Sequence, residues 1–195
     1  MPRRRLAVLV SGRGSNLQAI LDAIARNQLD ADIVGVFSDK PGCAALHRVD
    51  QRLRWSRDAK TYPDRSRFDT ELGDAVAHTE PDWVICAGYM RILGDEFVQR
   101  FADRLINIHP SLLPKYPGLH THRRALEAGD AEHGASVHWV IPELDAGNVI
   151  AQTRIPILSN DDVTSLATRL LPAEHALLIA VLRDAVAGRL SPRSA

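Results

Sequence analysis

The feature that most constrains this chain is a glycine-rich segment that separates a short apolar run from an amphipathic helix. Residues 6–10 are all apolar, as in a strand covered on both faces of a sheet. The segment 11–16 (SGRGSN) follows, and apolar residues then recur at helical spacing, at Leu17, Ile20, Leu21 and Ile24. A strand, a tight turn and a helix in this order predict the first unit of an α/β fold.

The first half of the chain continues this alternation. Further apolar runs predict strands at residues 33–37, 83–87 and 105–109. Helical patterns lie between them, at residues 44–54, 68–78 and 95–102, while the polar stretch 58–67 predicts a loop. Strands that alternate with helices predict a parallel sheet with right-handed crossovers.

The second half departs from this pattern. Residues 135–141 and 149–155 predict two strands whose link is too short for a helical crossover, so they would pair antiparallel at one edge. A last helix is predicted over residues 164–188, with a kink or break at Pro172. We therefore expect a Rossmann-like α/β fold, mostly parallel with an antiparallel edge, in one domain covering residues 1–195.

The charge balance narrows the possible partners. Lys and Arg number 24 and Asp and Glu number 24, so the formal net charge is zero. Proteins that bind nucleic acid or anionic membranes usually carry an excess of positive charge, so neither partner is expected. Two cysteines allow no disulfide framework, and the first apolar run is too short for a signal or a membrane span. These features predict a cytoplasmic protein.

The glycine-rich turn is a candidate anion site, because its backbone N–H groups and the positive end of the helix dipole point into one space. Ser15 and Asn16 could cap the helix or donate to a phosphate. The turn is neither a Walker A loop nor a dinucleotide fingerprint, since Leu17 takes the place of the third glycine. A capped turn without a ligand fits these residues equally well.

A second candidate site lies on the strand predicted at residues 105–109. Its period of two places Asn107 and His109 on one face, at the end where ligands bind in open α/β sheets. An amide donor and an imidazole suit oxyanion stabilisation and proton transfer, and a carboxylate such as Asp145 would raise the pKa of the histidine. Alternatively, the three side chains only satisfy loop and turn groups, which is the commoner role of such residues.

Metal binding and covalent catalysis are two alternative functions to consider for this chain. Five histidines occur between residues 109 and 138, but no metal-ligand spacing is present, and His138 on a predicted strand resembles a packed residue. No serine lies in a nucleophile elbow, and Cys86 lies in an apolar strand. We therefore expect direct transfer without a metal.

Four ordered motifs carry a resemblance to a known family. The string NIHPSLLPKYPGLHTH at residues 107–122 closely resembles the signature of the glycinamide ribonucleotide formyltransferases, folate-dependent enzymes of purine synthesis. Three further segments agree with that family in the same order: SGxGSNL at 11–17, AGYMRIL at 87–93 and LDxG at 144–147. The resemblance covers nearly the whole chain.

The resemblance implies a Rossmann-like formyltransferase fold and transfer of a formyl group from 10-formyltetrahydrofolate, the co-substrate, to the amine of 5-phosphoribosyl-glycinamide. It implies three catalytic residues: His109 as general acid, Asp145 raising its pKa, and Asn107 as donor to the formyl oxygen. The ribonucleotide would be bound by Gly14, Ser15, Asn16 and Glu174. The folate would lie against Arg65, Met90, Arg91, Ile92, Leu93, Asn107, Ile141, Glu143 and Leu144.

Some positions depart from the family pattern. Leu171 and Pro172 replace polar residues near the phosphate, and Asn148 replaces a frequent proline. Related formyltransferases that act on methionyl-tRNA or hydrolyse formyltetrahydrofolate carry an extra domain, for which 195 residues leave no space. A binding module without activity is a further alternative, although it would not require all three catalytic residues. We expect only small-molecule partners and a monomer or weak homodimer.

Overall fold

The computed structural model describes residues 2–190, in which seven strands form one sheet with helices on both faces. The strands are β1 (Arg4–Val10), β2 (Ala31–Ser38), β3 (Arg54–Ser56), β4 (Trp83–Cys86), β5 (Leu105–His109), β6 (Glu132–Trp139) and β7 (Val149–Pro156). The helices are α1 (Ser15–Ala25), α2 (Arg65–His78), α3 (Asp95–Arg100), α4 (Thr121–Glu127) and α5 (Val163–Val186).

The strand order in the sheet is β3-β2-β1-β4-β5-β6-β7. The first five strands in this order are parallel, while β6 pairs antiparallel with both β5 and β7. The predicted parallel sheet with an antiparallel edge is therefore confirmed. The chain order reverses between β1 and β4, and such a switch point opens a crevice at the carboxyl ends of the strands.

Two apolar cores cover the sheet, one on each face. Alternate residues of β1 belong to different cores: Leu6, Val8 and Val10 pack with α1 and α5, whereas Ala7 and Leu9 pack with α2 and α3. A strand covered on both faces requires an unbroken apolar run, which explains why residues 6–10 contain no polar side chain.

Several local expectations were wrong. The predicted helix over residues 44–54 is replaced by two 3-10 helices, Ala44–Arg48 and Gln51–Leu53, and by the start of the short edge strand β3. The helix α2 begins within the predicted loop, because Asp64 caps it by accepting a hydrogen bond from Arg67 N–H at 2.9 Å. The helix α4 lies in a segment for which no helix was predicted.

The last helix, α5, is continuous through Pro172, where a kink or break was predicted. Its capping box joins Asp162 and Ser165, which fixes its start. By length and mean hydropathy, α5 is the one helix among residues 2–190 that could cross a membrane. In this fold it packs on the sheet and buries Leu166, Leu170, Leu178 and Leu182.

We predict that Gly134→Ala destabilises the protein by about 3 kcal/mol, because overpacking costs are of this order. A Cβ at Gly134 in β6 would overlap the carbonyl oxygen of Thr153 in the neighbouring β7 and lie 2.6 Å from Leu112 Cδ2. Urea unfolding measures the change. Gly42→Ala is the matched control, since its Cβ would meet nothing within 4 Å, and equal effects of both substitutions would contradict the prediction.

Candidate active site

The candidate site lies at the carboxyl ends of β1, β4 and β5, beside the switch point of the sheet. The glycine-rich turn follows β1, the segment 87–94 follows β4, and the segment 110–120 follows β5. The loop 140–148 leaves β6 beside the start of β5 and folds back toward the same edge, where Asp145 accepts a hydrogen bond from Gly118 N–H. The motifs that are far apart in sequence therefore meet in one crevice.

The glycine-rich turn presents free donors at the start of α1. Gly14 is the N-cap residue, has φ +75°, and provides no side-chain cap. Within residues 2–190, the backbone N–H groups of Arg13, Gly14, Ser15 and Asn16 donate to no protein acceptor. Of the two roles left open for Ser15 and Asn16, capping of the helix is not observed. Four unpaired donors at a helix N-terminus are groups of the kind that bind anions.

The side chain of Asn16 instead joins the turn to α5. Its Nδ2 donates to Glu174 Oε1 at 2.7 Å, and both side chains are buried. Burial raises the pKa of Glu174, while the Asn16 hydrogen bond opposes this shift. Asn16 Oδ1 is buried without a protein partner. The pair thus places one unsatisfied polar atom, Asn16 Oδ1, beside the crevice.

The three predicted catalytic residues come together. Asn107 and His109 lie on one face of β5, and Ile106 and Ile108 pack in the core on the other face, as predicted. Asp145 has φ +51° in the loop after β6 and accepts a hydrogen bond from Gly118 N–H at 2.8 Å. Its carboxylate oxygens lie 3.5 Å from His109 Nδ1 and 3.5 Å from Asn107 Nδ2.

Burial dominates the protonation of His109. Its Nε2 lies 2.9 Å from the carbonyl oxygen of Tyr116, so Nε2 carries a proton. Burial lowers the pKa of His109, while the Tyr116 hydrogen bond and the Asp145 charge raise it, and the net shift is downward. Asp145 therefore acts in the predicted direction, but it does not outweigh desolvation in this structure.

His138 is packed and hydrogen-bonded, as predicted, and it also contacts the candidate catalytic residues. Its Nδ1 lies 2.9 Å from the carbonyl oxygen of Trp139, so Nδ1 is the donor, and Nε2 accepts from Asn107 Nδ2 at 3.0 Å. Burial raises the pKa of Asp145, but contacts with His138 and Gly118 N–H and the charge of His109 bring it below its usual value. His138 thus orients the amide of Asn107 and touches Asp145.

Two cavities meet at this cluster. One, of about 80 Å³, lies under the loop after β6 and includes Arg91, Ile92, Leu93, Ile141, Glu143 and Leu144 in its lining. The other, of about 270 Å³, extends past His109 toward Asn16, Met90 and Glu174. Both are lined by Asn107 and Asp145. The catalytic candidates therefore lie at the junction of two binding spaces.

The remaining candidates lie further out. Gly14 and Ser15 are in the glycine-rich turn rather than in the lining of either cavity. Arg65 starts α2, and its Nε lies 3.8 Å from the buried carboxylate of Asp69. Cys86 lines the smaller cavity, and burial, with the Asp145 charge, raises its pKa to about 12, so it is no nucleophile at neutral pH.

Two of the five histidines between residues 109 and 138 contact each other beside the site. His122 Nδ1 and His133 Nε2 are 3.0 Å apart, so a single proton is shared in this contact. Burial, together with the charge of the neighbouring His122, lowers the pKa of His133 from 6.5 to about 4. No group of three or more His, Cys, Asp or Glu side chains in the described part of the chain is arranged to hold a metal ion.

Comparisons with known proteins define the class. A family model described as formyl transferase matches residues 4–182. The crystal structure of glycinamide ribonucleotide transformylase 1 from Symbiobacterium toebii superposes with a TM-score of 0.93 at 36% identity, covering 98% of this chain and 92% of that chain. The chain belongs to the formyl transferase family, which confirms the predicted fold.

Two further relatives define the branch of the family. Phosphoribosylglycinamide formyltransferase of Escherichia coli (strain K12) is 46% identical over 95% of this chain and 88% of its own length. The structure of the enzyme of that name from Coxiella burnetii has a TM-score of 0.90 at 43% identity, covering 96% of this chain and 89% of that chain. Within the family, the chain belongs to the phosphoribosylglycinamide formyltransferases, as its motifs predicted.

The buried His133 predicts a loss of stability in acid. Its folded pKa of about 4 lies below 6.5, so the unfolded chain takes up a proton first as the pH falls, and stability is lost between these two values. Between pH 7.5 and pH 4.5, we expect the free energy of unfolding to fall by about 2 kcal/mol less in His133→Gln than in the wild type, as measured by urea unfolding. His47→Gln, at an exposed position, is the control and should leave the loss unchanged.

Proposed function

We propose that this protein transfers the formyl group of 10-formyltetrahydrofolate to the amine of 5-phosphoribosyl-glycinamide, with Asn107, His109 and Asp145 as the catalytic residues. Folate-dependent formyl transfer in purine biosynthesis is the reaction of its family. The observation that carries the assignment of residues is the junction of two cavities at Asn107 and Asp145. A reaction between two substrates requires such a junction.

The ribonucleotide would occupy the space between the glycine-rich turn and His109. Its phosphate would accept hydrogen bonds from the free N–H groups of Gly14, Ser15 and Asn16, which a monophosphate is small enough to engage together. Glu174 and Asn16 carry the buried polar atoms suited to ribose hydroxyl groups. This orientation would direct the glycinamide amine toward β5.

The folate would occupy the space under the loop after β6. Its ring would lie in the smaller cavity, among apolar side chains and the backbone of residues 91–93 and 141–144. Four exposed apolar side chains surround the crevice and would cover an aromatic ligand: Met90, Ile92, Leu119 and Leu144. Arg65 is placed outside the cavity, where it would meet the anionic tail of the folate.

Formyl transfer would then be direct. The amine attacks the formyl carbon, and the oxygen of the tetrahedral intermediate accepts hydrogen bonds from Asn107 Nδ2 and protonated His109. His109 can keep Nδ1 beside Asp145 and exchange the Tyr116 carbonyl for the formyl oxygen at Nε2. The bond between the formyl carbon and the folate nitrogen then breaks, and a proton moves from the amine to that nitrogen, which releases tetrahydrofolate. We place this chemistry in the cytoplasm.

The first test is the reaction itself. Purified protein with both substrates should give formylglycinamide ribonucleotide and tetrahydrofolate in equal amounts, as followed by the absorbance change of the folate and by mass spectrometry of the product. Binding of both substrates, measured by calorimetry, without any product would support a binding module and contradict the proposal.

A second test separates catalysis from binding. We expect Asp145→Asn to lower kcat by at least about 100-fold, since it removes the charge that favours protonated His109, while the Kd of the ribonucleotide changes less than about threefold. The substitution preserves the side-chain shape beside Gly118 N–H. Asp74→Asn, in the exposed pair with Arg100 on the surface of α2, is the control. Equal loss in kcat and affinity would show that Asp145 shapes the pocket instead.

A further inference from the structure

The 3-10 helix Ala44–Arg48 packs behind the glycine-rich turn and ends in an arginine to which the reaction above assigns no role. Arg48 Nε donates to the carbonyl oxygen of Arg13 at 2.8 Å, and its Nη1 donates to Gln18 Oε1 at 2.9 Å. Among residues 2–190, no carboxylate lies within 4.0 Å of the Arg48 guanidinium. A cation without an acidic partner therefore contacts the turn.

The same segment holds a second carbonyl of the turn. The oxygen of Gly12 accepts from Ala45 N–H at 3.0 Å and from Cys43 Sγ at 3.3 Å. In a planar trans peptide the C=O bond and the following N–H bond point in opposite directions. Held carbonyls at Gly12 and Arg13 therefore direct the N–H groups of Arg13 and Gly14 away from the segment 43–48. These N–H groups are two of the four that have no protein acceptor.

The contact between the segment and the turn is close. A Cβ on Gly14 would lie 2.5 Å from Ala45 Cβ and 3.2 Å from Arg48 Nε, and Gly14 has φ +75°. The guanidinium thus lies against the peptide that links Arg13 and Gly14. A positive charge on the carbonyl side polarises this peptide and strengthens its N–H group as a donor to an anion.

We propose that Arg48 is a positioning residue for the phosphate monoester of the ribonucleotide. It fixes the carbonyl of Arg13, directs the Gly14 N–H group into the anion site, and supplies charge there without entering the pocket. This inference rests on the proposed function only for the identity of the substrate that carries the phosphate.

The test compares the ribonucleotide with glycinamide riboside, the same molecule without its phosphate. In Arg48→Gln, the Kd of the ribonucleotide measured by calorimetry should rise about tenfold, the scale of one charge-assisted hydrogen bond, while the Kd of the riboside stays unchanged. The KM of the ribonucleotide should rise equally, with kcat within about twofold of wild type. Arg48→Lys keeps the charge without the fork of donors and should give an intermediate loss.

Arg52→Gln is the matched control, because it removes the same charge from a nearby side chain that is 81% exposed. It should change neither Kd. Equal weakening of ribonucleotide and riboside by Arg48→Gln would overturn the proposal, since it would show a general structural role. If Arg48→Gln does not fold, Arg48→Lys provides the test. A ratio of riboside Kd to ribonucleotide Kd equal to that of the wild type would then overturn the proposal.

The two proposals fail in different ways. If the wild type forms no formylated product, but Arg48→Gln still weakens the ribonucleotide and not the riboside, the role of Arg48 stands and the proposed reaction falls. If product forms in the wild type and the affinity of Arg48→Gln for the ribonucleotide is unchanged, the reaction stands and the role of Arg48 falls.

Discussion

The site depends on one buried carboxylate. Asp145 is an acceptor only, and its burial is costly unless donors surround it. Those donors come from separate parts of the chain: Gly118 N–H at 2.8 Å, Asn107 Nδ2 at 3.5 Å and, when protonated, His109 at 3.5 Å. The loop after β6, the segment after β5 and β5 itself are therefore tied together. Moving any of them away leaves a charge with too few partners.

The antiparallel strand β6 positions the residues that surround the Asp145 carboxylate. Its register places His138 directly opposite Asn107 and Ser136 opposite His109. Residues directly opposite in a sheet share a face, so the amide and the imidazole meet at 3.0 Å without any loop to position them. A parallel strand in this place would first require a long crossover back to the amino end of β5.

The local hydrophobic pattern of the sequence predicts many elements of this fold. The features that it does not predict depend on contacts between residues far apart in the chain. The apolar run of β1, the alternation along β5 and the antiparallel edge follow from period and link length, so they were readable in the sequence. His138 is packed and hydrogen-bonded, as predicted, but its contact with Asn107 was not predicted because it depends on pairing with a strand 31 residues away. The strand β3 has only three residues, too few for a pattern, and Arg48 meets the turn across 35 residues.

The neutral composition and the anionic substrate are compatible because the binding forces are local. Free N–H groups and one cation act over a few ångströms, so no basic surface is required. The same local balance governs His109: burial lowers its pKa, and one carboxylate at 3.5 Å opposes this. Coulomb energy rises as distance and effective dielectric fall. A bound folate that presses the loop toward β5 would shorten the distance between Asp145 and His109, and so shift His109 toward its protonated form when the formyl oxygen is present.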